Sequence, residues 1–409
     1  MGRILLLHPD LGVGGAERLV VDAALALKSG GHEVKFVTTH HDTNHCFMET
    51  KDGTIPVTVY GDWLPRHIYG RFFALCAYIR MIYAAFCILL FENIPDIVFC
   101  DLVSICIPIL KLRCPRVLFY VHFPDQLLSS KGGLLKTIYR APLNYLEEYT
   151  TGKANKILVN SQFTQGVFEK TFKKLKIETE ILYPTVHTEF FDKTKILPLE
   201  RVIDRKLPKN SFILLSINRY ERKKDLHLCI EAMSILQTLL RKDFENIYLI
   251  MAGGYDKRVE ENVEHYLELI GLADELHVSD HIIFLRSPSD QEKVSLLHHA
   301  DVVVYTPRNE HFGIVPLEAM YAGKAVIAQN SGGPKESIKN GQTGFLVDSD
   351  SSDFAGKMRI FVCDATMRTQ FGKDGKQRFM DLFSFNAFEE KLNAIVKRLL
   401  ENRENQKTE

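Results

Sequence analysis

Short apolar runs alternate with longer amphipathic stretches along the first half of the chain. Five of these runs have the length and composition of buried strands: Ile4–Leu7, Glu33–Thr38, Ile97–Cys100, Val117–Val121 and Lys156–Val159. Helix-like segments, Glu17–Ser29 and Thr164–Phe172, follow the first and the last of these runs. Because strands that alternate with helices form parallel sheets covered on both faces, an α/β fold is predicted.

The same alternation starts again after a polar stretch near residues 185–205. The second set of predicted strands is Phe212–Ile217, Ile247–Ala252, His281–Phe284, Val302–Tyr305 and Ala325–Ala328. At 409 residues the chain is long enough for two domains of ordinary size. We therefore expect one α/β domain over residues 1–190, a second over 205–380, and a helix and tail over 381–409.

Residues 72–91 are almost entirely apolar and about as long as a bilayer-spanning helix. Arg80 lies near the middle, and inserting an arginine there costs roughly 2.5–3.5 kcal/mol, which disfavours a free crossing. The alternatives are a buried core helix, or a helix in the membrane interface whose Arg80 reaches the headgroups. Because the upstream Trp63, Arg66 and Arg71 are typical interface anchors, we favour membrane contact.

Composition narrows the classes of function. Lys+Arg and Asp+Glu are both 51, so the net charge is +0, whereas nucleic-acid binders normally carry a basic excess. None of the 8 cysteines stands in a Cys-x-x-Cys pair, and no Asn-x-Ser/Thr acceptor occurs. These features disfavour nucleic acid as a partner and a zinc site, and they fit a reducing, cytosolic environment.

A glycine-rich loop follows the first predicted strand and opens the first helix. Its consecutive Gly14 and Gly15 would let backbone N–H groups approach an anion at the helix N-terminus. Glu17 occupies the position of the third glycine in the dinucleotide-binding fingerprint, so that class of site is not supported. A tight turn without a ligand explains the loop about equally well.

Two cations follow the strand that ends at Ile217, where parallel sheets commonly bind ligands. Arg219 could fork onto phosphate oxygens and Lys224 could add a point charge. A charged surface loop is the alternative for this stretch taken by itself.

Two glutamates flank the predicted start of a helix near Ile314. Gly313 and Ile314 would direct the free N–H groups of the helix start toward whatever Glu310 faces. Glu318 lies about one turn inside the helix, where its carboxylate could accept two hydrogen bonds from a vicinal diol such as ribose. An acid that complements the helix dipole would explain Glu318 but not the whole arrangement.

These motifs resemble the retaining, nucleotide-sugar-dependent glycosyltransferases of the two-domain GT-B class. Glu310 and Glu318 match the Glu-x7-Glu element of that family, and Arg219 and Lys224 match its Arg-x4-Lys pair. Gly14 to Glu17 match its N-terminal loop, and Ser331 to Pro334 with Gly344 to Val347 match its late signature. The resemblance implies two Rossmann-like domains that face across a donor cleft, with a C-terminal helix that crosses back to the first domain.

Longer stretches are similar to the eukaryotic GDP-mannose-dependent mannosyltransferases of dolichol-linked oligosaccharide assembly. They are His8–Arg18, Gly61–Pro65, Tyr120–Asp125, Asn218–Lys224 and Asn309–Met320. This implies transfer of mannose from GDP-mannose to dolichyl-diphosphate-linked Man1GlcNAc2, with α-1,3 and α-1,6 linkages made during N-glycan precursor assembly. It also implies the cytosolic face of the endoplasmic reticulum membrane, with other glycosyltransferases of the same pathway as candidate partners.

The resemblance assigns roles at the nucleotide end of the donor. Arg219 and Lys224 would bind the diphosphate, and Gly313 and Ile314 would donate backbone N–H groups to it. Glu318 would hold the ribose hydroxyls. The guanine would lie against backbone near residues 253–254 and 285–286.

At the reacting end of the donor, the resemblance implies that Glu310 contacts the mannose and that His122 lies near its reacting face. Gly14 and Gly15 would line the donor site from the first domain. Breaking the sugar–phosphate bond places negative charge on GDP, which two cations and a helix start can stabilise. We therefore expect neither a tightly bound cofactor nor a required divalent metal.

Three alternatives remain open on the same fold. The chain could act on a different donor or acceptor, it could be a sugar-nucleotide epimerase or phosphorylase, or it could be a non-catalytic scaffold that binds a nucleotide sugar. The presence of both Glu310 and His122 favours an enzyme over a scaffold. Asp348-Ser349-Asp350 is interpreted as a turn and helix cap and not as a metal site.

Overall fold

The computed structural model describes residues 1–128 and 134–406, and their side chains except at 134–136 and 402–406. The chain divides into two compact units, Met1–Thr185 with Phe385–Glu409, and Val186–Ser384. The boundaries expected at residues 190 and 381 thus move to 185 and 385. The second boundary moves because the long C-terminal helix begins only at Phe385.

The first unit is built on a parallel seven-stranded sheet. Its strands are β1 (Arg3–His8), β2 (Glu33–Thr38), β3 (Val57–Val59), β4 (Ile97–Asp101), β5 (Val117–Val121), β6 (Lys156–Val159) and β7 (Thr179–Ile181). The strand order is β3-β2-β1-β4-β5-β6-β7. Helices of this unit are α1 (Gly15–Ser29), α2 (Phe73–Phe91), α3 (Ile107–Leu110), α4 (Asp125–Leu128), α5 (Leu134–Thr151) and α6 (Gln162–Thr171).

The second unit contains a parallel six-stranded sheet in the order β10-β9-β8-β11-β12-β13. Its strands are β8 (Phe212–Ile217), β9 (Ile247–Gly253), β10 (Ile282–Arg286), β11 (Val302–Tyr305), β12 (Ala325–Gln329) and β13 (Gly344–Val347). Its helices are α7 (Thr188–Lys193), α8 (Leu199–Ile203), α9 (His227–Leu240), α10 (Glu260–Glu275), α11 (Asp290–His299), α12 (Ile314–Tyr321), α13 (Pro334–Ser337), α14 (Ser351–Cys363) and α15 (Ala365–Leu382).

The central strands of both sheets agree with the strands predicted from the apolar runs, because strands covered on both faces are apolar throughout. In β1, for example, Ile4 and Leu6 pack beneath α1, whereas Leu5 and Leu7 pack in a separate core with residues of α2. Strands β3, β7 and β13 escaped the prediction. Each lies at a sheet edge and has only three or four residues, too few to show a pattern.

The C-terminal helix, α16 (Phe385–Gln406), belongs to the first unit, as the resemblance implied. Leu392 and Val396 are fully buried on its apolar face, in one core with α1. The Asn393 side chain donates to the Ala26 carbonyl at 3.0 Å. A side chain at Gly30 would collide with Asn393, since a Cβ there would lie 2.2 Å from its Oδ1. This glycine therefore permits the close approach of the two helices.

Helix α2 is the one helix in the described residues that is long and apolar enough to cross a membrane. Half of its most apolar window is nevertheless buried in the protein. Met81, Ala84 and Ile88 have no exposed surface and pack on the sheet. The opposite face leaves large apolar side chains in solvent: Phe73, Leu75, Ile79, Tyr83, Phe86, Leu90 and Phe91. Helix α2 is thus half core helix and half exposed apolar surface.

Arg80 does not reach outward from α2, contrary to one of the alternatives considered for this segment. It is 6% exposed, and its Nη2 donates to the Thr39 carbonyl at 2.6 Å. Asp62 lies 3.9 Å from the same nitrogen. The arginine therefore fixes α2 against the loop after β2, and its charge faces protein instead of lipid.

Candidate active site

The candidate donor residues of the second unit lie at the carboxyl edge of its sheet. Strands β8 and β11 are neighbours, so the loop that carries Lys224 and the loop that carries Glu310 begin side by side. Strand β12 follows, and its loop carries Ser331 and Gly332. Crevices at this edge of open parallel sheets are the usual place for ligands.

Lys224 and Glu310 form the centre of this group. Nζ of Lys224 lies 2.9 Å from both Oε1 and Oε2 of Glu310. The hydroxyl of Tyr305, the last residue of β11, donates to Oε2 at 3.0 Å. Burial of the carboxyl works to raise the pKa of Glu310, but the charge and hydrogen bonds of Lys224 and the hydrogen bond from Tyr305 lower it below its usual value. Glu310 is therefore an anion held in a fixed position.

The β12 loop packs directly under the Glu310 loop. A Cβ at Gly332 would lie 2.3 Å from the Glu310 carbonyl oxygen, and one at Gly333 would lie 2.1 Å from that of Phe312. The Gly333 N–H donates to the Glu310 carbonyl at 2.9 Å. Only glycine fits at these two positions, which explains why the late glycine-rich signature and the first glutamate belong to one site.

Helix α12 starts where the sequence placed it. Gly313 is its N-cap with a φ of 84°, in the left-handed region that glycine enters without strain. The first N–H groups of a helix, from Ile314 onward, have no acceptor within it and are suited to an anion. This helix start is compatible with an anion contact at Gly313 and Ile314, and the contact itself stays a prediction.

Glu318 lies inside α12 and is buried, and only one of its two carboxylate oxygens has a hydrogen-bond partner among the described residues. Oε1 accepts from Nζ of Lys293 in α11 at 2.6 Å. Oε2 is buried and has no hydrogen-bond partner within the described part of the chain. Burial raises the pKa of Glu318, and the charge of Lys293 offsets only part of this effect. Because buried polar atoms normally have a hydrogen-bond partner, this oxygen is a candidate contact for a ligand.

Arg219 does not join the Lys224–Glu310 group. Its side chain is 62% exposed and makes an ion pair with Glu221 at 2.9 Å. The backbone around it is nevertheless tightly placed, because a Cβ at Gly253 would lie 1.8 Å from the Asn218 carbonyl oxygen. The structure therefore brings Lys224 and Glu310 into contact, places Glu318 on the helix that follows Glu310, and leaves Arg219 at the surface.

In the first unit, the predicted residues His122, Gly14 and Gly15 lie at the carboxyl edge of the other sheet. Nε2 of His122, the residue after β5, lies 2.8 Å from Oδ2 of Asp101. Its ring packs edge-on against Tyr120. Gly15 begins α1 and has open space around its missing side chain. The loop surface at Gly15 is thus accessible to a ligand.

Asp101 also binds a second histidine. Nδ1 of His8, at the end of β1, lies 2.7 Å from Oδ1 of Asp101. Burial works to lower the pKa of His8, but the adjacent Asp101 carboxylate outweighs it and raises that pKa to about 9. Burial likewise works to raise the pKa of Asp101, and the two histidines lower it instead. The pair is therefore a buried imidazolium and carboxylate at neutral pH.

Four residues of these groups were not identified from the sequence: Tyr305, Lys293, Asp101 and His8. Asp101 and His8 carried a usable signal, because each is a polar residue at the carboxyl end of an apolar strand. Tyr305 ends β11 and Lys293 lies on a separate helix, and no local pattern marks either as a partner of a glutamate.

The Asp348-Ser349-Asp350 segment is a helix cap, as predicted. Asp350 is the N-cap of α14, and its side chain accepts from the Ser352 N–H at 2.9 Å. Within residues 1–128 and 134–406, no group of three or more histidine, cysteine or acidic side chains could hold a metal ion.

Two Rossmann-like units, a Glu-x7-Glu pair across a helix start and a buried lysine on the first glutamate define a glycosyltransferase of the GT-B class. Residues 13–190 match the family model described as Glycosyltransferase Family 4, and residues 201–378 match Glycosyl transferases group 1. Sucrose-phosphate synthase from Thermosynechococcus elongatus has a similar fold, with a TM-score of 0.75 at 18% identity over 98% of this chain and 100% of that one.

Full-length relatives define the family more narrowly. The chain is 50% identical over 405 residues to alpha-1,3/1,6-mannosyltransferase ALG2 of Homo sapiens, covering 97% of this chain and 96% of the relative. It is 48% identical over 405 residues to the Mus musculus protein of the same name, with the same coverage. The chain belongs to the α-1,3/1,6-mannosyltransferase family.

Proposed function

We propose that this enzyme transfers mannose from GDP-mannose, with retention, to dolichyl-diphosphate-linked Man1GlcNAc2 and forms α-1,3 and α-1,6 linkages. Its relatives of 48% and 50% identity are named for these two linkages. The observation that carries the proposal is the joint placement of Lys224, Glu310 and the start of α12, with Glu318 and its unpaired oxygen one turn further on.

Lys224 serves the leaving group. Its ammonium has three donors, two of which are directed at Glu310, so one is left for a phosphate oxygen. The N–H groups at Gly313 and Ile314 and the positive end of the α12 dipole add stabilisation where charge develops on GDP. The Arg219 side chain is exposed, so its guanidinium would leave Glu221 and bind the diphosphate. These groups supply the positive charge that a divalent metal supplies in other enzymes.

Glu310 serves the sugar. Because it remains ionised between Lys224 and Tyr305, its carboxylate oxygens can accept hydrogen bonds from mannose hydroxyls and stabilise positive character at the anomeric carbon. Glu318 serves the nucleoside, since its unpaired Oε2 can accept from a ribose hydroxyl. His122 would contact the sugar near the bond that is broken.

The lipid acceptor requires the enzyme to work at a membrane surface, and α2 is the best docking element. Its exposed face combines Phe73, Phe86, Leu90 and Phe91, which are 47–70% exposed. Trp63, 73% exposed, packs edge-on against Tyr83 beside this face. We infer that the first unit docks through this face on the cytosolic side of the endoplasmic reticulum membrane.

The proposal is tested with purified enzyme, a synthetic dolichyl- or phytanyl-diphosphate Man1GlcNAc2 acceptor and a panel of labelled sugar nucleotides. GDP-mannose should be consumed to give products with one and two added mannoses, and linkage-specific α-mannosidases should identify both linkages. Transfer from UDP-glucose at equal rates, or GDP-mannose turnover without acceptor, would instead support one of the other GT-B activities.

A further inference from the structure

Three neighbouring strands of the first unit place three titratable side chains in a row. The strand order β1-β4-β5 brings together the carboxyl ends that carry His8, Asp101 and His122. Asp101 bridges the two histidines, with 2.7 Å to Nδ1 of His8 and 2.8 Å to Nε2 of His122. The resulting chain of hydrogen bonds runs across the sheet edge from a fully buried residue to a partly exposed one.

Burial decides which atoms carry hydrogen. Asp101 and His8 are 0% and 1% exposed, so the charge of each must be balanced within this group. An ionised carboxylate accepts hydrogen bonds only. Nδ1 of His8 and Nε2 of His122 must therefore both carry hydrogen and donate to Asp101. The remaining ring nitrogen of His122, Nδ1, is left for whatever approaches the 18% of this side chain that is exposed.

The far end of the row connects to the glycine loop. Nε2 of His8 is buried, has no hydrogen-bond partner among the described residues, and lies 3.8 Å from Oε1 of Glu17. The Glu17 carboxylate folds back over Gly14, and its Oε2 lies 2.3 Å from the place a Cβ of Gly14 would take. The positive charge of His8 is therefore shared between Asp101 below and Glu17 at the start of α1.

We propose that Asp101 and His8 are positioning residues for His122, fixing it as the tautomer with hydrogen on Nε2 so that Nδ1 faces the substrates. The inference rests on the proposed function only in the role of His122. His8 keeps Asp101 ionised, Asp101 orients the imidazole, and the Asn160 side chain holds the His122 carbonyl at 3.0 Å. Nδ1 then presents a lone pair that accepts a hydrogen bond from a hydroxyl of the sugar or the acceptor.

Asp101→Asn tests the inference because an amide can satisfy only one histidine in the same way. Its oxygen should stay on the Nδ1–H of His8, whose positive charge the Glu17 carboxylate still balances from 3.8 Å. Its NH2 group would then point at Nε2 of His122 and require hydrogen on Nδ1 instead. The substitution thus keeps the number of hydrogen bonds and reverses the tautomer of the histidine.

Long-range 1H–15N spectra of ligand-free protein with labelled histidine rings report the tautomer directly. The tautomer is read at a pH where the spectra show one hydrogen on the His122 ring. His122→Gln assigns the resonances. Wild-type protein should show hydrogen on Nε2 of His122 and Asp101→Asn should show it on Nδ1. Hydrogen on Nδ1 in the wild type overturns the inference, and this holds even where Asp101→Asn fails to fold.

Kinetics separate positioning from stability. Asp101→Asn should lower kcat by about 10²-fold, as misplacement of a reacting partner does, while the KM for GDP-mannose stays within about twofold. Combined with His122→Gln it should add no further loss. Asp52→Asn, an exposed substitution of the same type in this unit, should behave as wild type. Unchanged kcat in Asp101→Asn overturns the inference. If wild-type enzyme transfers no mannose, the proposed function fails, and the ligand-free spectra still decide the tautomer.

Discussion

Glu310→Gln should reduce mannose transfer and yet strengthen the binding of GDP. In the free enzyme, Glu310 holds the ammonium group that the diphosphate needs, with both carboxylate oxygens 2.9 Å from Nζ of Lys224. At that distance the attraction is roughly 6 kcal/mol in an effective dielectric of about 20. The Glu310 side chain is 29% exposed, so solvent and desolvation reduce the net value toward the 1.5–3 kcal/mol typical of charge-assisted hydrogen bonds.

Replacing the carboxylate with an amide releases this attraction and removes a negative charge near the phosphates. We expect the Kd for GDP to fall by about tenfold, which corresponds to roughly 1.4 kcal/mol. The kcat for mannose transfer should fall by about 10²–10³, since the charge complementary to the developing cation is lost. Isothermal titration calorimetry with GDP and initial-rate measurements with the lipid acceptor give the two quantities separately.

The same substitution eight residues later is the control. Glu318→Gln should weaken GDP binding about tenfold or more, because a buried acceptor for the ribose is replaced by an amide with one oxygen. The two variants should therefore change GDP affinity in opposite directions. Weaker GDP binding by Glu310→Gln, or equal changes in both variants, would refute the competition between Glu310 and the diphosphate.

Other parts of the molecule give four further predictions. Tyr305→Phe removes one hydrogen bond from the Glu310 carboxylate. The kcat should therefore fall by about threefold to tenfold in initial-rate assays, with little change in Tm. His8 has a folded-state pKa near 9 against 6.5 when unfolded, so its stabilisation is complete below pH 6.5 and is lost as pH rises through about 9. Calorimetric melts should show this loss, about 3 kcal/mol, and His8→Gln should remove the pH dependence. Phe86→Ser with Leu90→Ser should release the enzyme from liposomes without lowering Tm, whereas the buried Met81→Ser should lower Tm by many degrees. Transfer activity should persist in excess chelator, and a complete, magnesium-reversible loss would contradict the role given to the cations of the site.

The parts of the fold that could be predicted are the elements whose burial shows directly in their own sequence. Strand β8 is apolar except for Ser216 because it is buried along almost its whole length, so its bounds could be predicted from sequence. Strand β7 has three half-buried residues at a sheet edge, where no such constraint acts. Which face of α2 is buried could not be predicted from its sequence, because that depends on how the helix packs on the sheet beneath it. Arg80 indicated a cost in lipid, and only the structure shows that its guanidinium is buried in the protein and donates to the Thr39 carbonyl.

Some residues of the candidate site could likewise be placed from the sequence, and others could not. Gly313 and Ile314 could be placed from sequence, since Pro316 is typical of the first turn of a helix. The direct contact between Lys224 and Glu310 could not, because 86 residues separate them and their meeting depends on β8 and β11 being neighbours. Asp101 could have been predicted as a site residue, because it is a charged residue at the carboxyl end of an apolar strand.

In the proposed mechanism Lys224 stabilises the departing GDP, and its neighbour Lys223 provides a matched control. Lys223 has the same chemistry one residue away, but its side chain is 66% exposed and pairs with Glu221. The measurement is the initial rate of mannose transfer from GDP-mannose by Lys224→Ala and by Lys223→Ala, each confirmed as folded. The rate of Lys224→Ala should fall by about 10²–10³ while that of Lys223→Ala stays near the wild-type rate. A Lys224→Ala enzyme that keeps the wild-type rate, or equal losses in both variants, would contradict the account.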